Sequence, residues 1–166
     1  MNTNKRQEGF SLIELLIVVA IIGIIAAIAV PNLLASRRAA NEGSALATMR
    51  VIFSSEATYQ ATNGAGKYGS LSDLYTNGLV DQVVNDSNTT AKSGFKLTAA
   101  KVTVNSNVDL GFDAKAVPAT FGGISATGTR SFGLTETGVM YFTTTGTAPG
   151  FDQNTRAASS GAVLNN

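Results

Sequence analysis

The chain has 166 residues, which suits one compact domain with one long additional element better than two full domains. Its 12 Lys and Arg nearly balance 11 Asp and Glu, and a net charge of +1 is too small to attract nucleic acid or an anionic membrane surface. Cys and His are absent, which excludes disulfides, Cys/His zinc sites, Ser-His triads and Cys-His dyads.

A long apolar segment follows the first residues of the chain. Residues 15–36 contain no charged side chain. As a helix, residues 10–30 would be about 31 Å long at about 1.5 Å per residue, close to the thickness of the bilayer hydrocarbon core. Lys5 and Arg6 precede this segment, so the positive-inside rule places the N-terminus in the cytoplasm. We predict one transmembrane helix over residues 10–31.

The residues just before this helix form a recognisable pattern. Residues 5–14 read Lys-Arg-Gln-Glu-Gly-Phe-Ser-Leu-Ile-Glu, a short basic leader that ends in Gly9 and is followed by Phe10 and, four residues later, by Glu14. A secretory signal would place its cleavage site after the apolar core, not before it. The pattern resembles the cleavage and methylation signature of type IV prepilins. That resemblance implies that a prepilin peptidase removes residues 1–9 and methylates the new amine of Phe10.

Glu14 is a single carboxylate within the apolar segment. A charged group inside a membrane span costs about 2.5–3.5 kcal/mol on insertion scales, so its position requires a reason. The span contains no Lys or Arg, but leader cleavage creates a positively charged amine at Phe10. We predict that Glu14 pairs with this amine of an adjacent subunit in a filament and sets the axial register. The alternative is a carboxylate that extends to the lipid headgroups.

Gly23 and Pro31 weaken the same helix. Proline removes one backbone hydrogen bond and clashes with the carbonyl four residues earlier, and glycine lowers helix propensity. In type IVa filaments, which this chain resembles, the segment between the corresponding residues loses helicity on assembly. The resemblance therefore implies a flexible section between Gly23 and Pro31, and a simple proline kink is the alternative.

The helical pattern continues as an amphipathic second half over residues 32–63. One apolar stripe at near-3.6 spacing is expected to pack on a sheet. The residues of this stripe are Leu46, Met49, Phe53, Ala57 and Ala61. Ile52 and Tyr59 fall on a flanking face, which is expected to meet either neighbouring helices or the subunit's own core.

The rest of the chain predicts a connecting region, a sheet and a tail. Residues 64–93 form the connecting region, in which Gly64 caps the long helix and Ser70 opens a short helical turn. Within residues 94–149, apolar residues alternate with polar ones at Phe95, Leu97, Ala99, Val102, Val104, Leu110, Phe112, Ala114, Ala116, Phe132 and Leu134. Residues 136–138 predict a hairpin turn, and residues 150–166 a flexible tail. We expect an α+β fold, with the long helix packed on an antiparallel sheet.

The chain contains few candidates for chemistry. Residues 93–96 match the S-x-x-K motif of some serine acyl-enzymes, but the accompanying motifs are absent. Asp109, Asp113 and Glu136 lie on predicted strands, where carboxylates usually face solvent. The segment from Asp86 begins like an EF-hand loop but lacks the required Gly and Glu. We therefore predict no enzyme activity, no catalytic residue, no metal site and no cofactor.

The connecting region also contains two N-x-S/T sequons, which begin at Asn85 and Asn88. Asp86 lies two residues before Asn88, and bacterial acceptor sites tend to need an acidic residue there. Asn88 is therefore a candidate glycosylation site. The hydroxyl side chains of residues 143–147 and of Ser159 and Ser160 are alternative acceptors.

Together these patterns predict a structural subunit that resembles a type IV pilin. The expected partners are copies of itself, a prepilin peptidase and methyltransferase, an assembly platform and an ATPase. The expected location is the inner membrane, with a cytoplasmic N-terminus, and then a surface pilus for motility, adhesion or DNA uptake, with nucleic acid left open as a partner. The alternatives are a pseudopilin of a type II secretion system and a periplasmic enzyme or binding module with an uncut signal anchor.

Overall fold

The computed structural model describes residues 9–105 and 107–164. Two compact units divide the chain, Met1–Ser36 and Arg37–Asn166, and each is considered separately. Lys5 and Arg6 of the predicted leader lie outside the described residues. The first helix, α1, spans Leu12–Ala61 and contributes to both units.

The N-terminal unit consists of exposed apolar helix. From Phe10 to Leu33, the large apolar side chains remain between 50% and 89% exposed. This helix is long and apolar enough to cross a membrane, and none of its apolar stretch is buried. In contrast, the core of the C-terminal unit contains fully buried apolar side chains. The predicted long apolar N-terminal helix is confirmed.

The C-terminal unit, which we call the head, contains a five-stranded antiparallel sheet in the order β1-β2-β3-β4-β5. Each strand therefore pairs with the next one in the chain. The strands are β1 Phe95–Val104, β2 Asn107–Pro118, β3 Ser131–Thr135, β4 Met140–Thr143 and β5 Ala162–Val163. The alternation of apolar and polar residues predicted β1, β2 and β3, and the burial of β1 fits it, because one face of that strand is buried and the other is more open.

The core of the head lies between α1 and the sheet. Met49 and Ile52 of α1 are fully buried, as are Phe95, Phe112 and Phe132 of the sheet. The rings of Phe95 and Phe132 are 6.0 Å apart between centroids. Burying a large apolar side chain contributes about 1.5–3 kcal/mol, so this layer is the main source of stability. The predicted α+β architecture, a long helix on an antiparallel sheet, is confirmed.

The buried face of α1 differs from the predicted stripe. The buried residues are Glu42, Ala45, Thr48, Met49, Ile52, Ser55 and Glu56. Ala57 and Ala61, which were expected on this face, are exposed, and Ile52 belongs to the head's own core. The prediction was wrong there because the face follows positions 42, 45, 49, 52 and 56, and it includes two carboxylates that a hydrophobic pattern does not reveal.

The connecting region is more helical than a single turn. It contains α2 (Leu71–Thr76), α3 (Gln82–Asn85) and a 3-10 helix (Asp86–Asn88). Ser70 is the N-cap of α2, as predicted: its side chain accepts the amide of Asp73, and the Asp73 side chain accepts the amide of Ser70. Leu74 of α2 and Val84 of α3 are buried in the core. α2 and the 3-10 helix contact β1, the edge strand of the sheet.

The described residues up to 164 pack on the sheet, whereas the sequence predicts a flexible tail over residues 150–166. Ala162 and Val163 form β5 and pair with β4. Pro149 and Phe151 approach Gly133 so closely that a Cβ there would lie 3.0 Å from the Phe151 ring. All five residues of β3 are consequently buried. The sequence is rich in polar residues here, but Arg156 is buried and anchors the segment through ion pairs described below.

Candidate functional site

The predicted cleavage site lies immediately before α1. Gly9 and Phe10 are outside regular secondary structure, and the Phe10 side chain is 89% exposed. Among the described residues, a Cβ added to Gly9 would meet no atom within 4 Å. The bond between Gly9 and Phe10 is therefore accessible in the isolated chain. Its cleavage and the methylation of Phe10 remain predictions.

Glu14 lies in the first turn of α1 and binds the helix N-terminus. Its Oε2 accepts a hydrogen bond from the backbone amide of Ser11 at 2.9 Å. A carboxylate at a helix N-terminus is typically stabilised by about 0.3–1 kcal/mol through the helix dipole. Ser11 and Glu14 have the S-x-x-E spacing of a capping box, a signal that the sequence reasoning missed, and this bond is one of the two reciprocal hydrogen bonds of that motif. Within the described residues Glu14 forms no ion pair, and its role in filament register stays a prediction.

Gly23 and Pro31 lie within one continuous helix. The bounds of α1 include both residues, with Pro31 inside the helix. No described atom lies within 4 Å of a Cβ built on Gly23, so a side chain would fit there in the single subunit. The isolated chain thus shows no helix break at either position. Loss of helicity on assembly remains a prediction.

Glu42 joins α1 to the loop before β3. Its Oε1 accepts hydrogen bonds from the amide and hydroxyl of Thr129, both at 2.7 Å, and from the amide of Arg130. The Arg130 guanidinium lies 2.8 Å from Oε2. Burial alone would raise the pKa of Glu42, but the hydrogen bonds from Thr129 and Arg130, with the Arg130 charge, outweigh it and lower the pKa. This buried carboxylate is charged and well satisfied.

Glu56 joins the same helix face to the connecting region but has far fewer partners. Its Oε2 accepts the amide of Gly69 at 2.9 Å, while Oε1 is buried without a hydrogen-bond partner among the described residues. Burial raises the pKa of Glu56 to about 7; the Gly69 amide opposes this, the charge of Asp73 adds to it, and Lys101 opposes it. Glu56 therefore titrates near neutral pH.

Arg156 anchors the C-terminal segment to the sheet. Its Nε lies 2.7 Å from Glu136 Oε1, and its Nη2 lies 2.6 Å from Asp113 Oδ1 and donates to the carbonyl of Phe112 at 2.9 Å. Burial alone would lower the pKa of Arg156, but the hydrogen bonds and charges of Glu136 and Asp113 outweigh it and raise the pKa. Two of the carboxylates considered for acid/base chemistry thus bind a structural arginine.

The remaining candidates show no catalytic arrangement. Asp109 lies 3.9 Å from Lys101 in a partly exposed ion pair, and the hydroxyl of Ser93 accepts a hydrogen bond from Ser44. No cluster of three acidic side chains that could hold a metal ion occurs among the described residues. Asn88, the candidate glycosylation site, ends the 3-10 helix with an exposed side chain.

Comparison with known proteins relates the first residues to a known motif. Residues 4–30 match the prokaryotic N-terminal methylation motif. This match contains the predicted leader end, Gly9 and Phe10, as well as Glu14. No solved structure gives a significant match to the chain.

Three curated proteins illustrate the similarity. The chain is 44% identical over 61 residues to the type IV wide pilus major component PilA4 of Thermus thermophilus, and 41% identical over 56 residues to the type IV major pilin protein PilA of Myxococcus xanthus. It is 32% identical over 59 residues to the type II secretion system core protein G of Dickeya chrysanthemi. These alignments cover 37%, 34% and 36% of this chain, and 47%, 26% and 39% of the relatives. The motif and the pilin relatives support a type IV pilin precursor.

Proposed function

We propose that this chain is the precursor of a type IV pilin, which is cleaved after Gly9, methylated at Phe10 and polymerised into a surface filament. One observation carries the proposal: the methylation motif, which covers residues 4–30, coincides with the N-terminal part of α1, in which every large apolar side chain is exposed. In water, each such exposed side chain lacks the stabilisation of about 1.5–3 kcal/mol that burial would give it. Residues 10–31 therefore need lipid before assembly and neighbouring copies afterwards.

The proposed life cycle begins in the inner membrane, with a single span and a cytoplasmic N-terminus. Lys5 and Arg6 support this orientation through the positive-inside rule. A prepilin peptidase and methyltransferase processes the chain, and an assembly platform with its ATPase transfers it into the filament. The pilus-forming relatives favour a structural, non-catalytic role, so these partners supply all the chemistry.

Intact-mass analysis of membrane and sheared-filament fractions tests the proposal. We expect a polymer whose subunit begins at Phe10 and carries the mass of one added methyl group. A membrane species that begins at Met1, with no polymer, would instead indicate a signal-anchored enzyme or binding module.

Glu14 is proposed to pair with the methylated amine of Phe10 in the adjacent subunit. Two substitutions separate this role from its local hydrogen bond to Ser11. Glu14→Gln keeps an acceptor for the Ser11 amide but removes the charge, whereas Glu14→Ala removes both. We expect both variants to be inserted and cleaved but to form few filaments, and Leu16→Ala to assemble normally as a control. Normal filaments from Glu14→Gln would refute the charge pairing.

A pseudopilin of a type II secretion system is the second candidate. It is supported by 30–32% identity to core protein G of three species over 59–63 residues. The two candidates differ in what the polymer is and where it lies. Long filaments on the cell surface that consist mainly of this chain support a pilin, whereas polymer restricted to the periplasm supports a pseudopilin.

A further inference from the structure

Two consecutive sequons of the connecting region, which begin at Asn85 and Asn88, are not used by the proposed function. The head structure distinguishes them. In the first sequon, Ser87 is fully buried, and its hydroxyl donates to the carbonyl of Val84. The Asn85 side-chain amide is also engaged, because it donates to Asp86 Oδ1 at 3.0 Å. A transferase therefore cannot reach the hydroxyl that the first sequon must present.

The second sequon is open on the surface. Asn88 and Thr90 both have exposed side chains, and so has Asp86, two residues before the asparagine. Among the described residues, the Asn88 side-chain amide makes no hydrogen bond. The segment turns here because the Asp86 carbonyl accepts the amides of Thr89 and Thr90. One surface turn thus presents the acidic, amide and hydroxyl side chains of an acceptor site together.

The surroundings of Asn88 suit a polar modification. A cavity of about 200 Å³ adjoins it, with the side chains of Ser72 and Thr98 in its lining. Hydroxyl groups both donate and accept hydrogen bonds, as sugar hydroxyls do. Val84, a core residue four positions earlier in the chain, is buried, whereas the Asn88 side chain is exposed. A glycan on Asn88 would therefore displace solvent and not the core.

We propose that Asn88 carries an N-linked glycan on the exported head. The donor class is an oligosaccharide linked to a polyprenyl pyrophosphate, and the enzyme class is an oligosaccharyltransferase. The Asn88 Nδ2 attacks the anomeric carbon and forms the C–N bond. The C–O bond to the pyrophosphate breaks, the lipid pyrophosphate leaves with the electron pair, and the amide proton passes to a base of the transferase. The inference rests on the proposed function only for export of the head.

The test uses the full chain purified from membranes and from sheared filaments of its native cells. Intact mass gives the total modification, and fragmentation of glycopeptides gives its position. We expect one glycan on Asn88, complete loss of its mass in Asn88→Gln and Thr90→Ala, and retention in Thr90→Ser. Asn85→Gln is the matched control and is expected to keep the whole glycan. All three substituted positions, Asn85, Asn88 and Thr90, have partly or fully exposed side chains, so the thermal midpoint of the variants should match that of the wild type.

Three outcomes overturn the inference: an exported chain without a glycan, a glycan on Asn85, or glycans confined to the hydroxyls of residues 143–147 and their neighbours. The same mass spectra report the N-terminus, which keeps the two proposals separate. A glycosylated chain that begins at Met1 supports the inference but contradicts the pilin proposal. A methylated chain that begins at Phe10 and has no glycan supports the pilin proposal but contradicts the glycosylation of Asn88.

Discussion

Substitution of Glu56 by Gln tests how a buried carboxyl controls the stability of the head. Glu56 is fully buried on the sheet-facing side of α1, with one hydrogen bond from the Gly69 amide. Its pKa is raised from 4.5 to about 7, chiefly by burial. The folded head therefore holds the Glu56 proton more tightly than the unfolded chain does. Glutamine keeps the size of the side chain and an acceptor for Gly69 but cannot be ionised.

The sign of the pH dependence follows from this raised pKa. The stabilising contribution of protonated Glu56 is fully present below pH 4.5 and is lost as the pH rises through about 7. At about 1.4 kcal/mol per pKa unit, the loss amounts to at most about 3–4 kcal/mol. Glu56→Gln should remove this slope, so the variant should be more stable than the wild type above pH 7.

Urea denaturation of the full chain in detergent, followed by circular dichroism between pH 4 and 8, measures the effect. Glu42→Gln is the matched control on the same helix face, because the pKa of Glu42 is lowered and not raised. The stability from Glu42 is present above pH 4.5 and is lost at lower pH, so this control should weaken the head at neutral pH. An unchanged slope between pH 4.5 and 7 in Glu56→Gln would refute the assignment.

Two further substitutions test the packing of the head. Arg156→Met leaves Asp113 and Glu136 without their buried cation, so we expect the unfolding free energy to fall by about 3 kcal/mol. The C-terminal segment should then be cleaved in limited proteolysis. A digestion pattern like that of the wild type would contradict the role of Arg156 as an anchor. Gly128→Ala places a Cβ 2.5 Å from the buried Phe95 ring, so we expect a loss of about 1–3 kcal/mol, and an unchanged thermal midpoint would show that the ring can move.

Some parts of the fold follow directly from local patterns. The uncharged segment before Arg37 admits only a helix of membrane length, and α1 covers it. In β1, Phe95, Leu97 and Ala99 are buried while Lys96 is exposed. This alternation has the two-residue period of a strand that packs one face against a helix. Such elements are predictable because a single local property, the repeat of apolar residues, determines which side faces the core.

Other parts depend on partners that are distant in sequence. Nothing in the local pattern indicates that Glu42 and Glu56 are buried, and the hydrogen-bond partners of Glu42 are residues 129 and 130, which lie far along the chain. Arg156 appeared to belong to a polar tail, yet its carboxylate partners are 20 and 43 residues away. No local pattern encodes these pairs, so the sequence alone did not reveal the buried charges or the packed C-terminal segment.

In the candidate site, too, some features were predictable from the local sequence and others were not. The short motif around Gly9, Phe10 and Glu14 was predictable because its spacing is local, and the methylation motif match includes it. The hydrogen bond of Glu14 to Ser11 appeared only in the structure. Likewise, the acidic residue before Asn88 is visible in the sequence, but the burial of Ser87 in the first sequon appeared only in the structure.

The anchor at Arg156 has a consequence for where the head can mature. The chain contains no cysteine, and ionic and hydrogen bonds hold its C-terminal segment on the sheet. Packing of the C-terminal segment on the sheet therefore requires neither a thiol oxidase nor a disulfide isomerase, and dithiothreitol should leave the folded head intact. A head of this kind can reach its final form in oxygen-free surroundings as readily as in air.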